Sequence, residues 1–290
     1  MYRIRHKKIL APAIKQIEID APLIARSARP GQFIMLRIDE YGERIPLTIA
    51  DFDREKGTIT IIFQEVGKTT MLLGQLAEGD YIRDVAGPLG RPSRIEKKGR
   101  IAAIGGGVGA APLYPIARAL HEAGNEVIAV LGARSGSLLI LEEEMQKVCA
   151  RLLIATEDGS RGHKGLVTDL LRDLIKSEEP IDEVIAIGPV PMMEAVCRLT
   201  KENNIPTTVS MNPIMVDGTG MCGACRVQVG KETRFACVDG PEFDGHLIDW
   251  SLARQRLRMF LKQEERALKE HPPKHTEGGG TACPCHQQKN

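Results

Sequence analysis

The sequence predicts an antiparallel β-barrel, then an α/β domain with a doubly wound parallel sheet, then a small cysteine-rich C-terminal domain. The N-terminal third contains short β-branched or alternating segments between turn residues, which indicate closely spaced strands. Buried strands then alternate with helices, as they do in parallel sheets. Three of the seven cysteines lie within residues 215–237, which we call the cysteine loop. The expected domains are 1–98, 99–213 and 214–265, followed by a flexible tail at 266–290.

The composition argues against several classes of function. The net charge is +1 and aromatic residues make up 4% of the chain, so neither a basic field nor stacking side chains favour nucleic acid. The sequence has no apolar run of about 18 residues that could span a membrane, and its N-terminus lacks the apolar segment of a signal peptide. An odd number of cysteines without framework spacing fits a reducing compartment. We therefore expect a cytoplasmic protein without a nucleic-acid or membrane partner.

Five closely spaced strands predict the small antiparallel barrel. One helix, at residues 68–77, interrupts the strands. Residues 81–90, which end in a Gly-Pro-Leu-Gly turn, are expected to close the barrel. The five strands are expected at residues 2–10, 14–21, 32–39, 45–52 and 58–66.

Two segments of the barrel carry groups that could bind a phosphate. At the start of the 68–77 helix, backbone N–H groups, a cation and two hydroxyls come together, although an ordinary capped helix explains the same pattern. Just before the strand at 45–52, Arg44 is a cation that can pair with a phosphate or a flavin edge, and Thr48 in that strand can offer a hydroxyl. A strand with a charged end explains the same pattern. The two segments contain Gly67, Lys68, Thr69 and Thr70, and Arg44, Pro46, Leu47 and Thr48.

The α/β half contains a glycine loop (residues 105–109) between a buried strand and a helix, the context that dinucleotide binding requires. Ligands of such sheets bind at the carboxyl ends of the strands, so the loops after the later strands are further candidates. The strands are expected at 100–104, 126–133, 151–156, 182–188 and 207–211. The candidate residues are Gly105, Gly106, Gly107, Val108, Gly109, Arg134, Glu157, Asp158, Gly188, Pro189 and Met192.

The cysteine loop has the spacing of a metal-cluster site. Cys222, Cys225 and Cys237 give C-x2-C-x11-C, which is most of the plant-type [2Fe–2S] pattern. Asp217 occupies the position of the first ligand and can supply a carboxylate oxygen. Zinc is the alternative, because short cysteine pairs also bind zinc, and Asp217 could instead cap the turn that follows it. An Asp at ferredoxin spacing favours the iron–sulfur cluster.

These segments resemble the ferredoxin–NADP reductase superfamily, whose members bind FAD on a barrel through R-x-[YP]-[ST]-like and G-x-[ST]-[ST]-like segments. G-G-G-V-G-A-A-P, T-E-D-G-S-x-G and G-P-x-x-M-M are similar to its nicotinamide-dinucleotide half. The resemblance implies FAD at Arg44–Thr48 and Gly67–Thr70, and NAD(H) rather than NADP(H) at the glycine loop. Many members have a cysteine where Ile187 stands, and we assign no catalytic acid, base or thiol.

The order of the three parts resembles two close groups. One is the electron-transfer subunit of class 1B dihydroorotate dehydrogenase, which uses four cysteines. The other is the small subunit of NADH-dependent reduced ferredoxin:NADP oxidoreductase, also described as a sulfide dehydrogenase subunit, in which Asp is the first cluster ligand. Asp217 matches the second group.

The second group implies a subunit of a bifurcating NAD(H)/NADP(H)/ferredoxin oxidoreductase. Such a subunit exchanges hydride between NAD(H) and FAD and relays single electrons through a [2Fe–2S] cluster. It implies a larger partner subunit with flavin and [4Fe–4S] clusters, through which ferredoxin is reached. A dihydroorotate dehydrogenase electron-transfer subunit is the alternative, and a zinc-bearing binding module without redox chemistry is a third possibility.

The C-terminal region is predicted to contain a charged helix at residues 249–270, followed by a low-complexity segment. Cys283 and Cys285 in that segment could bind a metal. A flexible tail without metal is the other interpretation, because few further ligands surround these two cysteines.

Overall fold

The structure is a computed structural model that describes residues 1–270. It confirms the predicted fold class, with an antiparallel barrel sheet, a mainly parallel sheet and a small C-terminal two-stranded sheet. Cys283 and Cys285 lie outside the described residues. No helix within residues 1–270 is both long and apolar enough to cross a membrane, and the cytoplasmic location stays a prediction.

One chain segment closes the barrel by pairing with both edges of the N-terminal sheet. The strands are β1 (Tyr2–Ala11), β2 (Ile14–Asp20), β3 (Phe33–Arg37), β4 (Ile45–Asp53), β5 (Thr58–Gln64), β6 (Tyr81–Ile82) and β7 (Asp84–Leu89). Their order is β6-β1-β2-β5-β4-β3-β7. β6 pairs with β1 at one edge and β7 pairs with β3 at the other. Since only Arg83 separates β6 from β7, this segment joins the two edges, as the sequence predicts.

Two helices accompany the barrel strands. α2 (Lys68–Gln75) confirms the predicted helix, but α1 (Pro22–Ser27) was not predicted, so the expectation of a single interrupting helix was wrong. α1 has six residues, too few to show a helical period, and it begins with a proline at its first position. Ile24 and Ala25 are buried in the barrel core. Tertiary burial therefore forms a helix that the local pattern does not specify.

The α/β half is a doubly wound sheet. Its strands are β8 (Arg100–Gly106), β9 (Glu126–Ala133), β10 (Arg151–Thr156), β11 (His163–Lys164), β12 (Glu183–Ile187) and β13 (Thr207–Ser210). Its helices are α3 (Ala110–Glu122), α4 (Glu142–Val148), α5 (Val167–Ile175) and α6 (Val190–Glu202). These strands are parallel in the order β11-β10-β9-β8-β12-β13. The chain winds outward from β8 in both directions, so the loops after β8 and β12 meet at the topological switch point.

The C-terminal part joins this sheet. Its elements are β14 (Arg226–Val229), β15 (Glu232–Phe235), α7 (Ala236–Asp239), β16 (Glu242–Asp244), α8 (Trp250–Leu257) and α9 (Leu261–Glu270). β14 and β15 form a hairpin, and β16 adds an antiparallel edge strand to β13. The single helix expected at 249–270 was wrong, because a turn separates α8 from α9. α8 packs on the core, whereas no residue of α9 is buried, so no shared buried face holds the two as one helix.

Apolar side chains from different parts of the chain share the same cores. Phe33 and Met35 of the barrel belong to one buried cluster with Cys225 and Cys237 of the cysteine loop. A second buried cluster joins barrel residues of β4 and β5 to α3 and β8. The guanidinium of Arg118 on α3 also donates to the carboxylate of Asp51 on β4, at 2.7 and 3.3 Å. The barrel, the α/β sheet and the cysteine loop therefore pack against one another.

Glu242 on β16 lies where the three parts meet. Its carboxylate accepts a hydrogen bond from the hydroxyl of Ser93, which follows the barrel, and it lies close to Gly31 before β3. Burial raises the pKa of Glu242; the hydrogen bond from Ser93 opposes the shift, and the carboxylate of Glu183 on β12 adds to it. The charged form of Glu242 is thus disfavoured in the folded protein.

We expect the Glu242→Gln substitution to remove a pH-dependent loss of stability. Because the folded-state pKa lies above the ordinary 4.5, the wild type loses stability as pH rises from about 4.5 through the folded-state value. Glutamine keeps an acceptor for Ser93 and carries no charge. The free energy of unfolding of the variant therefore increases relative to that of the wild type as pH rises. Denaturant unfolding between pH 4.5 and 8 measures this, with the exposed Glu55→Gln as control. Parallel pH profiles for all three proteins would contradict the argument.

Candidate functional site

The two predicted phosphate-binding segments of the barrel lie next to each other. The hydroxyl of Thr69 donates to a carboxylate oxygen of Glu43 at 3.1 Å, which ties the start of α2 to the residue before Arg44. Arg44 is exposed, and Thr69 is buried. Pro46, Leu47 and Thr48 follow in β4, opposite Met35, Ile34 and Phe33 of β3. Glu43 was not predicted as a residue of this site, and its position next to Arg44 is the only feature of the sequence that indicates it.

The start of α2 combines a cap with an open surface. Gly67 is the N-cap residue, and the hydroxyl of Thr70 accepts from the N–H of Gly67 at 3.0 Å and donates to its carbonyl oxygen at 3.0 Å. Thr70 therefore caps the helix, as the capped-helix interpretation expects. A Cβ on Gly67 would meet nothing within 4 Å, and Lys68 is half-buried beside it. A ligand phosphate could approach this helix end without displacing protein atoms.

The glycine loop touches the loop after β12. A Cβ on Gly106 would lie 2.3 Å from the Met192 sulfur and 3.1 Å from Cδ of Pro189. A Cβ on Gly109 would lie 2.3 Å from the carbonyl oxygen of Ile187. Gly109 must therefore be glycine, because the clashing atom belongs to the backbone, whereas a side chain at Gly106 would require Met192 to move. The structure thus brings the predicted residues after β8 and β12 together.

One side of this junction is open. Gly107 has φ +55°, and a Cβ there would meet nothing within 4 Å. It starts a 3-10 turn, Gly107–Gly109, that leads into α3. This turn packs against β5, and α3 packs against β4. The predicted dinucleotide loop therefore lies against β5, and the helix that follows it lies against β4, the strand that carries Pro46, Leu47 and Thr48.

The candidates after β9 and β10 lie side by side at the same edge of the sheet. The N–H of Asp158 donates to the carbonyl oxygen of Arg134 at 3.1 Å, and the side chains of Arg134, Glu157 and Asp158 are exposed. The hydroxyl and N–H of Ser160 donate to Asp158 at 2.6 and 2.9 Å and lower the pKa of that carboxyl. This edge therefore presents one cation and two carboxylates to a ligand.

Two of the predicted cluster ligands are neighbours in the buried part of the cysteine loop. The sulfur atoms of Cys225 and Cys237 are 3.2 Å apart, and both residues are free cysteines. Burial, followed by the neighbouring thiol of Cys225, raises the pKa of Cys237 to about 12. A metal that binds there must displace a proton, because thiolates are the ligands.

The other two predicted ligands lie nearer the surface. One carboxylate oxygen of Asp217 accepts from the N–H of Thr219 at 2.9 Å and the other from the N–H of Cys222 at 2.8 Å. These bonds lower the pKa of Asp217, the one from Thr219 most, so the carboxylate is charged at neutral pH. Cys222 is exposed. Within residues 1–270, no three His, Cys, Asp or Glu side chains converge on a metal ion. All four residues as metal ligands therefore stay predictions.

The donor set still fits an iron–sulfur cluster. Three reduced thiols and one charged carboxylate lie on a single loop, whose glycines Gly218, Gly220 and Gly223 have φ between +66° and +88°. Left-handed glycines let backbone N–H groups point inward, towards the sulfurs of a cluster. The loop can thus supply both ligands and hydrogen-bond donors.

The cysteine loop also rests on the barrel beside β4. A Cβ on Gly218 would lie 2.5 Å from Cγ of Met35 and 3.0 Å from Cδ1 of Leu89. Met35 is the partner of Pro46 in the β3–β4 ladder. The predicted cluster loop and the predicted flavin strand are thus separated by a single strand. No pattern in the sequence predicts this contact.

Comparisons with known families match two parts of the chain, which carry the predicted dinucleotide and cluster sites. Residues 103–198 match the family of oxidoreductase NAD-binding domains, and residues 212–249 match the iron–sulfur cluster binding domain of dihydroorotate dehydrogenase B. The second match includes all four predicted cluster ligands.

Whole-chain relatives are also similar. A dihydroorotate dehydrogenase B (NAD(+)) electron transfer subunit homologue of Thermotoga maritima is 48% identical, over 91% of this chain and 94% of its own. The electron transfer subunit of Desulforamulus reducens is 33% identical, over 83% and 95%. A solved chain of NADH-dependent reduced ferredoxin–NADP oxidoreductase, from work on flavin-based electron bifurcation, has TM-score 0.89 and 46% identity, over 93% and 97%.

The predicted resemblance and the cofactor set of FAD, NAD(H) and an iron–sulfur cluster are confirmed by these relatives and domains. The chain is an oxidoreductase subunit that transfers electrons with flavin and iron–sulfur groups. It belongs to the family of dihydroorotate dehydrogenase B electron-transfer subunits and their homologues, within the ferredoxin–NADP reductase superfamily.

Proposed function

We propose that this chain is the electron-transfer subunit of a bifurcating oxidoreductase that connects NAD(H), NADP(H) and ferredoxin. It carries the NAD(H) site, one FAD and one [2Fe–2S] cluster. Its partner is a larger subunit with flavin and [4Fe–4S] clusters, through which electrons reach ferredoxin. When bound, the flavin exchanges hydride with the nicotinamide and single electrons with the cluster.

The observation that carries the proposal is the whole-chain similarity to the NADH-dependent reduced ferredoxin–NADP oxidoreductase. Asp217 also supports it, because the resemblance to this group implies an Asp as the first cluster ligand, and Asp217 stands at that position. The second candidate is the electron-transfer subunit of an NAD-dependent dihydroorotate dehydrogenase. The family matched by residues 212–249 and the name of the Thermotoga relative favour that candidate.

The residues of the barrel and the α/β sheet have separable roles in this proposal. Arg44 pairs with the FAD pyrophosphate, and the start of α2 at Gly67 and Lys68 offers N–H groups and a cation to the same anion. Thr48 offers its hydroxyl to the ring, beside Pro46 and Leu47.

The glycine loop admits the dinucleotide pyrophosphate on the open side of Gly107, while Gly188, Pro189 and Met192 bound the other side. Arg134, Glu157 and Asp158 face the distal half of the dinucleotide. We propose NAD(H) there on the family resemblance, since Arg134 by itself could also meet a 2′-phosphate.

Purification of the native complex tests the function. We expect this chain to co-purify with a larger subunit, and the complex to use NADPH for the coupled reduction of NAD and ferredoxin. The physical reason is that residues 1–270 contain an entry for hydride and a one-electron relay without a visible final acceptor. Size measurements that show only free monomers or homodimers would contradict the partner. Reduction of NAD by dihydroorotate instead would establish the second candidate.

The Arg44→Ala substitution should weaken FAD retention by roughly tenfold or more, because a charge-assisted hydrogen bond to phosphate contributes about 1.5–3 kcal/mol. Flavin content after gel filtration and titration of flavin-depleted protein with FAD measure the change. Arg26→Ala, at an exposed arginine on α1, is the matched control and should retain flavin. Equal FAD affinity in the two variants would remove Arg44 from the flavin site.

Substitutions of Asp217 test whether its carboxylate is an iron ligand. Asp217→Cys should keep the cluster and shift its potential to more negative values, because a thiolate donates more electron density than a carboxylate. Asp217→Ala should make the cluster labile. Iron content, the visible spectrum and a redox titration measure these effects.

The Asp217→Asn substitution is the matched control for the capping role. Asparagine keeps the acceptor for the N–H of Thr219, and it loses both the acceptor for the N–H of Cys222 and the negative charge. Wild-type iron content and potential in Asp217→Asn would show that the carboxylate is not an iron ligand. That result would remove the main sequence argument for bifurcation over the dihydroorotate alternative.

A further inference from the structure

One side chain of α8 contacts the backbone of the cysteine loop. A terminal nitrogen of the Arg256 guanidinium donates to the carbonyl oxygen of Ala224 at 2.8 Å. Ala224 lies between Cys222 and Cys225, the two cysteines of the short C-x2-C spacing. The contact therefore fixes the segment that connects two predicted cluster ligands.

The Ala224–Cys225 peptide transmits this contact to the loop. Because a trans peptide is planar, the N–H of Cys225 points opposite to the carbonyl oxygen that Arg256 holds. The hydrogen bond therefore aims this N–H away from α8. A cation on the carbonyl also polarises the peptide and makes its N–H a stronger donor.

The surroundings of Arg256 are mainly apolar. A cavity of about 170 Å³ separates α8 from the cysteine loop, and its lining includes Cys222, Val227 and Leu252 together with Arg256. The Nε atom of Arg256 is buried and has no hydrogen-bond partner among residues 1–270. A charge in apolar surroundings is screened less than one in water, so the field of this guanidinium reaches further.

α8 itself is held in place at several points. The carboxylate of Asp249 caps the helix by accepting from the N–H of Leu252 at 2.9 Å, and the N–H of Asp249 donates to Gln228 in β14 at 3.0 Å. The indole of Trp250 donates to the carbonyl oxygen of Gly245 at 3.2 Å. Arg254 pairs with Glu194 of α6. Arg256 is therefore presented from a fixed element.

We propose that Arg256 is a positioning residue that sets the reduction potential of the iron–sulfur cluster. It holds the Ala224–Cys225 peptide so that the Cys225 N–H faces the cluster, and its positive charge stabilises the reduced, more negative form. Net charge and hydrogen bonds to sulfur are the main determinants of cluster potential. This inference rests on the proposed cluster site in the cysteine loop.

The chain offers a matched pair of arginines for the test. Arg256→Gln and Arg258→Gln each remove one positive charge at the C-terminal end of α8, but only the first removes the contact with Ala224, since Arg258 is exposed. We expect redox titration of the full-length chain to give a more negative cluster potential for Arg256→Gln and an unchanged potential for Arg258→Gln. Arg256→Lys keeps the charge and one donor, and its potential should return towards the wild-type value.

A purely structural role gives a different pattern. In that case Arg256→Lys and Arg256→Gln change the thermal stability but have the same cluster potential. This outcome would overturn the proposal. A potential for Arg256→Gln equal to that of Arg258→Gln would overturn it as well. Iron content and the visible spectrum of the wild type test the cluster site separately, so the failure of that site is not confused with the failure of the Arg256 role.

Hydrogen exchange keeps the inference testable if Arg256→Gln does not retain its cluster. Wild-type and variant full-length chains, all produced without iron, are compared at the amides of residues 223–225. Loss of a hydrogen bond to a charged donor should accelerate exchange there by about tenfold. Equal exchange in the Arg256→Gln and Arg258→Gln chains would contradict the positioning role.

Discussion

The close approach of the cysteine loop to the barrel is the contact on which the functional arrangement depends. Gly218 lies directly against Met35 and Leu89, where a side chain would overlap Cγ of Met35. Met35 in turn pairs with Pro46 in the adjacent strand β4. A single methionine-bearing strand therefore separates the predicted cluster loop from the predicted flavin strand. A displaced loop would lengthen any electron path between the two.

A second close approach orders the nucleotide side. Gly109 lies against the carbonyl oxygen of Ile187, and Gly106 lies against the side chain of Met192, so the loops after β8 and β12 are in direct contact. The same turn packs on β5, and α3 packs on β4. β4 therefore has the nucleotide domain on one side and, through β3, the cysteine loop on the other. The barrel is the common support of all three predicted sites.

The ionisable groups divide according to their place in this arrangement. Carboxylates at the exposed edges, Asp158 and Asp217, are held charged by hydrogen bonds from nearby N–H and hydroxyl groups. Glu242, at the junction of the three parts, is biased towards its neutral form by burial. Cys237 is held as a thiol until a metal displaces its proton. The carboxylates of Asp158 and Asp217 are thus ready to act as anions, whereas the carboxylate of Glu242 is not.

The sequence by itself determined strands β1 to β5 of the barrel, strands β8 to β10, β12 and β13 of the α/β sheet, the glycine loop and the ligand spacing of the cysteine loop. Those features follow from local periods and short spacings: β-branched alternation gives β1 to β5, and D-x4-C-x2-C-x11-C is read within one segment. It did not determine α1, the break between α8 and α9, or the edge strand β16, because burial against distant residues decides each of them.

Only the tertiary structure decided which candidate residues meet. The contact between Thr69 and Glu43, the packing of Gly218 on Met35, and the hydrogen bond from Arg256 to Ala224 all join segments that are far apart in the chain. No local pattern encodes such pairs, because each partner taken alone is compatible with an ordinary surface or core position. These pairs come into contact because the interior is close-packed, so the shape of one element fixes the position of the next.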